Sequence, residues 1–208
     1  TVIFDGTSAQ TITGNFNPYN LHISNAAGVD ASGATSLTVE NELQILTGTF
    51  TSASDYHDVT IDENGTLALS GDITISGDWE LIGTFTHNNH GVSFDGVSAS
   101  TITGSTVFYD LTVDNSAGVN LAGNTTVDNT LTLTDGLVTL GDYDLTLGGT
   151  VGGTPSAGNM VVTNGTGIMK KVYSTTGSFT FPVGESSGTA EYTPATLDFE
   201  SGTFNSGW

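Results

Sequence analysis

The chain has 208 residues, enough to bury a substantial core, and its 22 Asp and Glu residues against only two lysines give a formal net charge of −20. Nucleic-acid binding needs Lys and Arg to neutralise phosphates, so this composition excludes it, and it disfavours anionic membrane surfaces for the same reason. No transmembrane run is visible in the sequence, so we expect no membrane insertion. Cysteine is absent, which rules out disulfides and thiolate metal sites.

The first stretch of the chain recurs later with a constant offset of 90 residues. Phe4-Asp5-Gly6 returns as Phe94-Asp95-Gly96, and the Tyr-x-Leu-x-Ile run at Tyr19 returns as Tyr-x-Leu-x-Val at Tyr109. A shared offset over that span indicates a duplication. Because the chain begins inside the repeat without a visible cap, we expect it to be a segment of a longer, extended object.

The duplication continues after a two-residue deletion, now with an offset of 88. Leu43 falls on Leu131, and a third, weaker copy between residues 56 and 83 places Trp79 at the same position. Apolar and polar residues alternate throughout these stretches, as strands with one buried face require. We therefore expect Leu43, Trp79 and Leu131 to point inward and to stack directly above one another in successive copies.

Short strands repeated every few tens of residues cannot bury their apolar faces alone, so each unit must cover the next. The sequence thus predicts an all-β fold, a parallel β-solenoid (β-helix) over residues 1–158, with no helix. Beyond Gly158 prolines and both lysines appear and the repeat is lost. We expect residues 159–208 to form a small antiparallel β unit that caps or follows the solenoid.

Several motifs of the chain together resemble a known group of proteins: Phe94-Asp95-Gly96, the duplicated strands up to Gly136, and the run Phe181-Pro182-Val183-Gly184. They are similar to the long repeat regions of secreted surface proteins of the Bacteroidota, the adhesin-like substrates of type IX secretion. The resemblance implies an extracellular or cell-surface location and a non-enzymatic role in adhesion, a surface layer or a filament.

An enzyme is the first alternative, since parallel β-helices often carry polysaccharide lyases and hydrolases. A lyase needs a basic side chain or a bound cation, and a hydrolase needs two carboxylates facing one cleft. The predicted solenoid has no Lys or Arg and no long loops to build a cleft, so we expect no catalytic residues.

The acidic turns are candidate calcium ligands, because Ca²⁺ prefers oxygen donors from Asp, Asn and backbone carbonyls. The candidates are Asp95, Asp142 and Asp144. The alternative is that these residues only form turns and keep the surface soluble. No other metal or cofactor is predicted.

Three further features favour the simpler of two interpretations. Thr-x-Thr pairs, such as Thr130 and Thr132, would suit ice binding only in one continuous column, and the matching positions of other copies hold Glu, Gln and Asp. His87 and His90 lie in a polar turn, which makes a transition-metal site less plausible than a loop. The remaining feature is a set of tyrosines at one repeat position, expected to form a packing stack rather than a carbohydrate platform: Tyr19, Tyr56 and Tyr109.

The sequence therefore favours a structural or adhesive extracellular repeat protein that works by stacking β-coils. Its expected partners are copies of itself or adjacent repeats of the same chain, with a cell surface or its glycans as a further possible contact. The alternative is a binding module for ice or surface glycans.

Overall fold

A computed structural model describes residues 1–202 of the chain as an all-β protein, so the predicted solenoid is confirmed and the described part contains no helix. The last six residues of the expected 159–208 unit, 203–208, lie outside the described residues. The strands are β1 Val2–Phe4, β2 Gln10–Thr11, β3 Gly14–Phe16, β4 Asn20–Ser24, β5 Val29–Asp30, β6 Ala34–Ser52, β7 Asp55–Leu69, β8 Ile73–Ile75, β9 Trp79–Leu81, β10 Thr84–Thr86, β11 Gly91–Phe94, β12 Ser100–Thr103, β13 Thr106–Asp114, β14 Val119–Ala122, β15 Thr125–Asp135, β16 Val138–Thr139, β17 Leu145–Leu147, β18 Thr150–Gly153, β19 Val161–Val162, β20 Met169–Lys171, β21 Gly177–Phe181, β22 Val183–Glu185, β23 Glu191–Tyr192 and β24 Ala195–Phe199.

These strands wind into about ten coils, and each coil contributes up to three strand segments to three parallel ladders. We call the ladders the first, second and third side. The first side runs from β1 through β4 and β9 to β22, and the third from β3 through β8 and β11 to β18. The second side runs from β2 to β10 and again from β13 to β20, and among the described residues no strand pairing joins β10 to β13. The long strands β6, β7, β13 and β15 bend across two or three sides.

Alternation places one residue in two inside the coil, where it stacks on its neighbours in the ladder. On the first side Leu43 pairs with Val59, and Val59 pairs with Trp79. All three are essentially inaccessible to solvent. Each buried apolar side chain of this size contributes about 1.5–3 kcal/mol through its removal from water, so the stacked interior is the main stabilising term.

Trp79 anchors an aromatic cluster where the first and second sides meet. The centroid of its ring lies 4.8 Å from that of Phe85, in an edge-to-face arrangement, and 5.6 Å from that of Phe108. The indole N–H donates to the hydroxyl of Thr106 at 3.1 Å, so the buried indole nitrogen has a hydrogen-bond partner. The sequence-based assignment of Trp79 to the core is confirmed.

The two copies of the duplicated segment lie on different sides of the coil. β1 begins the first side, but its copy β11 belongs to the third side, and β2 of the second side has its copy β12 on the first. The register inside each copy is the same: Val2 pairs with Leu21, and Val92 with Leu111. The offset of 90 residues therefore adds a whole number of coils plus two thirds of a coil.

This rotation corrects the expectation that the equivalent apolar positions all stack directly. Leu43 and Trp79 share the first side, but Leu131 lies in the third side, between Leu111 and Val151. Leu131 is fully buried, as expected. Sequence similarity identified inward positions correctly but could not assign them to a side, because an apolar residue suits the interior of all three.

The predicted tyrosine stack is wrong. Tyr19 is 62% exposed, whereas Tyr56 is 2% exposed and donates its hydroxyl to Ser52 at 2.6 Å. Tyr109 is half-buried and stacks on His87, with ring centroids 5.7 Å apart. The three residues share a place in the sequence pattern but not in the coil, so they do not meet.

Antiparallel pairing begins later in the chain than residue 158. β19 pairs in parallel with β16, β20 with β17, and β22 with β19, so the coils continue to Glu185. The antiparallel pairs are β21 with β24 and β22 with β23. Loss of the sequence repeat therefore precedes the change of strand direction, because Val161 and Met169 still supply inward apolar side chains.

Candidate functional site: the outward face of the third side

The third side carries two regular outward rows across coils four to eight. The first row runs through paired positions from Thr74 to Ser93, Thr112, Thr132 and Gly152. The second row contains Gly91, Asp110, Thr130 and Thr150, and it begins at Asp72, which precedes Ile73 in the same ladder. Neighbouring rungs of a ladder are about 4.8 Å apart, so hydroxyl groups recur at that interval along the coil axis.

This register corrects the argument that the Thr column is not kept. The residues compared with Thr130 and Thr132 in the sequence, Glu42 with Gln44 and Asp78 with Glu80, belong to the first side. The true neighbour of Thr132 is Thr112, and that of Thr112 is Ser93. A four-member hydroxyl row is therefore present, although the comparison of sequence copies predicted none.

The second side offers another uncharged surface. Thr49 pairs with Thr66 and Thr66 with Thr84, while Thr51 pairs with Ala68 and Ala68 with Thr86. The strand segments of this side in five successive coils contain no charged residue: 47–52, 64–69, 84–86, 106–108 and 125–127. In a chain with a net charge of −20, acidic groups are thus concentrated on the other surfaces.

Many of the acidic side chains hold successive coils together. A carboxylate at the start of a strand accepts a hydrogen bond from a backbone N–H about 20 residues later, in the next coil. The clearest cases are Asp72 to Gly91 (2.7 Å), Asp58 to Asp78 (2.8 Å), Asp78 to Thr101 (2.8 Å) and Asp110 to Thr130 (2.9 Å). Charge-assisted bonds of this kind are stronger than neutral ones, so these carboxylates stabilise the stack.

Two of the predicted calcium ligands follow the same pattern. Asp142 Oδ1 accepts bonds from the backbone N–H and the hydroxyl of Thr166, each at 3.0 Å. Asp144 accepts a bond from the Ile168 N–H at 2.9 Å and pairs with the ammonium group of Lys170. These contacts lower both pKa values, through the backbone bond of Thr166 for Asp142 and through the Lys170 bond first for Asp144.

Asp95, the remaining candidate, lies in a different part of the solenoid. It follows β11, three coils before Asp142, and its carboxyl stands near those of Asp55 and Asp114. Although the residue is exposed overall, partial burial of its carboxyl raises the pKa of Asp95, and the two neighbouring carboxylates raise it further. The structure therefore does not bring the three candidates together, and residues 1–202 contain no group of three His, Asp or Glu residues arranged to hold a metal ion.

The turn from His87 to His90 has a defined backbone conformation and is bonded to the preceding coil. Asn88 and Asn89 have φ angles of 49° and 63°, a left-handed conformation that Asn tolerates, and Asn88 donates to the Leu69 carbonyl at 2.8 Å. His87 accepts a bond from the Asn89 N–H, and His90 lies 3.7 Å from Asp72. The turn therefore brings an imidazole to the outer row that contains Asp72 and Gly91.

Sequence reasoning missed the central position of this face, Gly91. The depression at Gly91 is lined by the side chains of Asp72, Ser93, Asp110, Thr112, Thr130 and Thr132. A usable signal existed, since a glycine within a strand pattern marks a bulge or a close approach of a ligand or another backbone.

No protein-family model matches this chain, and neither the search of curated proteins nor that of solved structures found a match. Within the described range, no helix is long and apolar enough to cross a membrane.

Proposed function

We propose that this chain is a non-enzymatic, extracellular structural or adhesive protein, a solenoid segment that extends or assembles by stacking β-coils. The observation that carries the proposal is the set of three stacked parallel sides, two of them continuous ladders, with apolar side chains inside and Asp carboxylates bonded from coil to coil outside. Such an arrangement transmits contacts along one axis and gives a rod built from nearest-neighbour interfaces.

The rotated duplication supports a structural role over a site confined to one side. A duplicated segment that returns on another side carries its outward residues to a new surface, as when the β1 positions reappear in β11. A function that needed the same surface repeated along one side would gain nothing from such a duplication. A function that needs only stacked coils is unaffected, because the interior accepts either copy on any side.

The experiment is electron microscopy and sedimentation of the purified chain over a range of concentrations, with and without calcium. Assembly predicts ordered fibres, with calcium promoting them by screening the acidic lateral surfaces. A chain that stays monomeric in both conditions would exclude assembly between molecules and leave only extension within one chain.

A second candidate function, ice binding, is favoured by one specific observation: the hydroxyl row from Thr74 to Thr132 and the matching rows of the second side. Regular, flat, uncharged rows can hold an ordered water layer. Inhibition of ice recrystallisation, lost in the variant Thr112→Lys and kept in Thr13→Lys, would support it. No inhibition by the unmodified chain would exclude it.

A further inference from the structure

Gly91 is a glycine that the backbone does not require. Strand glycines in this fold either have a positive φ, as Gly153 does, or face a neighbour that an added Cβ would meet within 3.0 Å, as Gly65 faces the Ile45 carbonyl. Gly91 has neither property: its φ is ordinary, and a Cβ would meet nothing closer than 3.5 Å. Of the glycines inside the described strands, it alone lacks both constraints.

A strand glycine without a backbone role is a cost to stability. Glycine in a strand interior loses about 0.5–1 kcal/mol relative to Ala because it gives up more conformational freedom on folding. The residue equivalent to Gly91 in the first copy is Thr1 (91 − 90 = 1), so the duplicated pattern does not itself require glycine here. The missing side chain therefore calls for a reason outside the fold, and an approaching ligand is the usual one.

The missing side chain opens a depression, the Gly91 notch, between two carboxylates. Gly91 pairs with Asp110 in the next coil, and Asp72 lies in the coil before. A Cβ on Gly91 would lie 3.7 Å from the carboxyl carbon of Asp72 and 3.5 Å from the Cβ of Asp110, so both side chains border the notch. The hydroxyl groups of Ser93 and Thr112 border the notch on one side.

Both carboxylates are held in place and keep a free oxygen. Asp72 Oδ1 accepts the Gly91 N–H at 2.7 Å, and Asp110 Oδ1 accepts both the Thr130 N–H at 2.9 Å and the side-chain amide of Asn129 at 2.7 Å. No donor from residues 1–202 bonds to Oδ2 of either residue. Two oriented acceptors therefore flank a gap bordered by hydroxyl groups that both donate and accept.

This arrangement matches the hydrogen-bonding pattern of a sugar. Hydroxyl groups of a sugar ring donate to carboxylate oxygens and exchange bonds with Ser and Thr. The net charge of −20 repels acidic sugars, and a neutral sugar needs only the hydrogen-bond acceptors and hydroxyl groups that border the notch. We propose that the Gly91 notch binds a neutral saccharide unit on the third side of the solenoid, with Asp72 and Asp110 as the orienting acceptors.

The test is binding of the purified full chain to an array of immobilised neutral, acidic and amine-bearing oligosaccharides. The decisive variants, Gly91→Thr and Asp110→Asn, restore the residues that the first copy has at these positions, Thr1 and Asn20. Gly91→Thr fills the notch without backbone strain, so its melting temperature should equal or exceed that of the unmodified chain. The control is Thr66→Val, a substitution on the second side.

The expected result is binding to at least one neutral oligosaccharide, weakened at least tenfold by Gly91→Thr and by Asp110→Asn and unchanged by Thr66→Val. The inference is overturned if no neutral oligosaccharide binds, if only acidic or amine-bearing ones do, or if Gly91→Thr binds as well as the unmodified chain. The outcome is independent of rod assembly, because fibres can form or fail to form with the notch intact.

Discussion

A Cβ atom on Gly136 would lie 1.7 Å from the carbonyl oxygen of Asn115, in the coil below. The first copy has the same relationship, where a Cβ on Gly48 would lie 1.9 Å from the Asn25 carbonyl oxygen. Both glycines have a left-handed φ, 84° and 81°. Each of these turns between two sides therefore needs a glycine for two reasons. The φ angle is unfavourable for other residues, and a side chain would collide with the preceding coil.

Gly136→Ala should destabilise the fold by about 2–4 kcal/mol, because the methyl group cannot fit unless two coils separate and the φ angle is unfavourable for Ala. Chemical unfolding followed by circular dichroism measures this loss. The matched control is Gly91→Ala, where the added methyl group has room and the expected change is neutral or stabilising. Equal effects of the two substitutions would refute the assignment of Gly136 to the corner.

Asn115→Ala should cost about 2–4 kcal/mol, since it removes a fully buried amide that bonds in three directions. The side-chain N–H₂ donates to the Ser98 carbonyl at 2.8 Å and to the Ser100 hydroxyl at 3.0 Å, while its oxygen accepts the Ala117 N–H at 3.0 Å. Of the three partners Ser100 is fully buried, so removal of the amide takes from its hydroxyl a bond that water cannot easily replace. Thermal or urea unfolding provides the measurement.

The same network in the first copy provides a comparison. Asn25 donates to the Ser8 carbonyl and the Gln10 side chain, and it accepts the Ala27 N–H. Its partner Gln10 is only half-buried and can bond to water instead, whereas Ser100 is fully buried, so Asn25→Ala should cost less than Asn115→Ala. A larger cost at Asn25 would show that the two corners do not carry equivalent roles.

Acidification should loosen the contact between the coils that contain Asp142 and Thr166. Hydrogen bonds lower the folded pKa of Asp142 and of Asp144 below the unfolded value, so their stabilisation is complete above the unfolded pKa. It is lost as pH falls through the lower, folded pKa. The amide proton shifts of Thr166 and Ile168 in NMR spectra should therefore stay constant from neutral pH to about pH 4 and move only below it.

The control for that titration is Asp142→Asn, which should remove the acid-dependent shift of the Thr166 amide and keep that of Ile168. A shift of the Thr166 amide that begins well above the ordinary pKa of an Asp would contradict the assigned bond.

Asp95 should show the opposite dependence on pH. Partial burial and the carboxylates of Asp55 and Asp114 raise its folded pKa, so the ionised group destabilises the fold at neutral pH and the protonated group does not. Asp95→Asn should raise the melting temperature slightly at pH 7 and leave it unchanged at about pH 3, below the ordinary pKa. A lower melting temperature at pH 7 would instead point to a bound cation that needs this carboxylate.

The sequence was sufficient to predict the fold class, because the alternation of apolar and polar residues and its repetition in the duplicated segments both indicate which side chains are buried. Leu43 and Leu131 were correctly placed inside, since a strand with period-2 apolar residues has one face to bury. The side of each strand was not predictable in the same way. Side assignment could not be taken from residue spacing, because successive coils differ in length. On the first side the step from Leu43 to Val59 spans 16 residues (59 − 43), and the step from Trp79 to Ile102 spans 23 (102 − 79).

The candidate site was hidden by the same limitation. Its members come from residues 72 to 132 in four coils, and only the register shows that Asp72, Gly91 and Asp110 are adjacent. The tyrosines show the converse, because Tyr19 and Tyr56 share a sequence pattern and yet one is exposed and the other buried. Likeness between copies predicts what a residue faces inside its own coil, and not which residues of other coils surround it.

The coil register, with the two copies of the duplication on different sides, supports every proposal above. Electron paramagnetic resonance of spin-labelled cysteine pairs tests it most directly, because the natural chain has no cysteine. Labels at Thr112 and Thr132, which are partners in adjacent strands, should show strong dipolar broadening. Labels at Gln44 and Thr132, which correspond only in the sequence copies, should show none. Broadening of the second pair, or its absence in the first, would contradict the account.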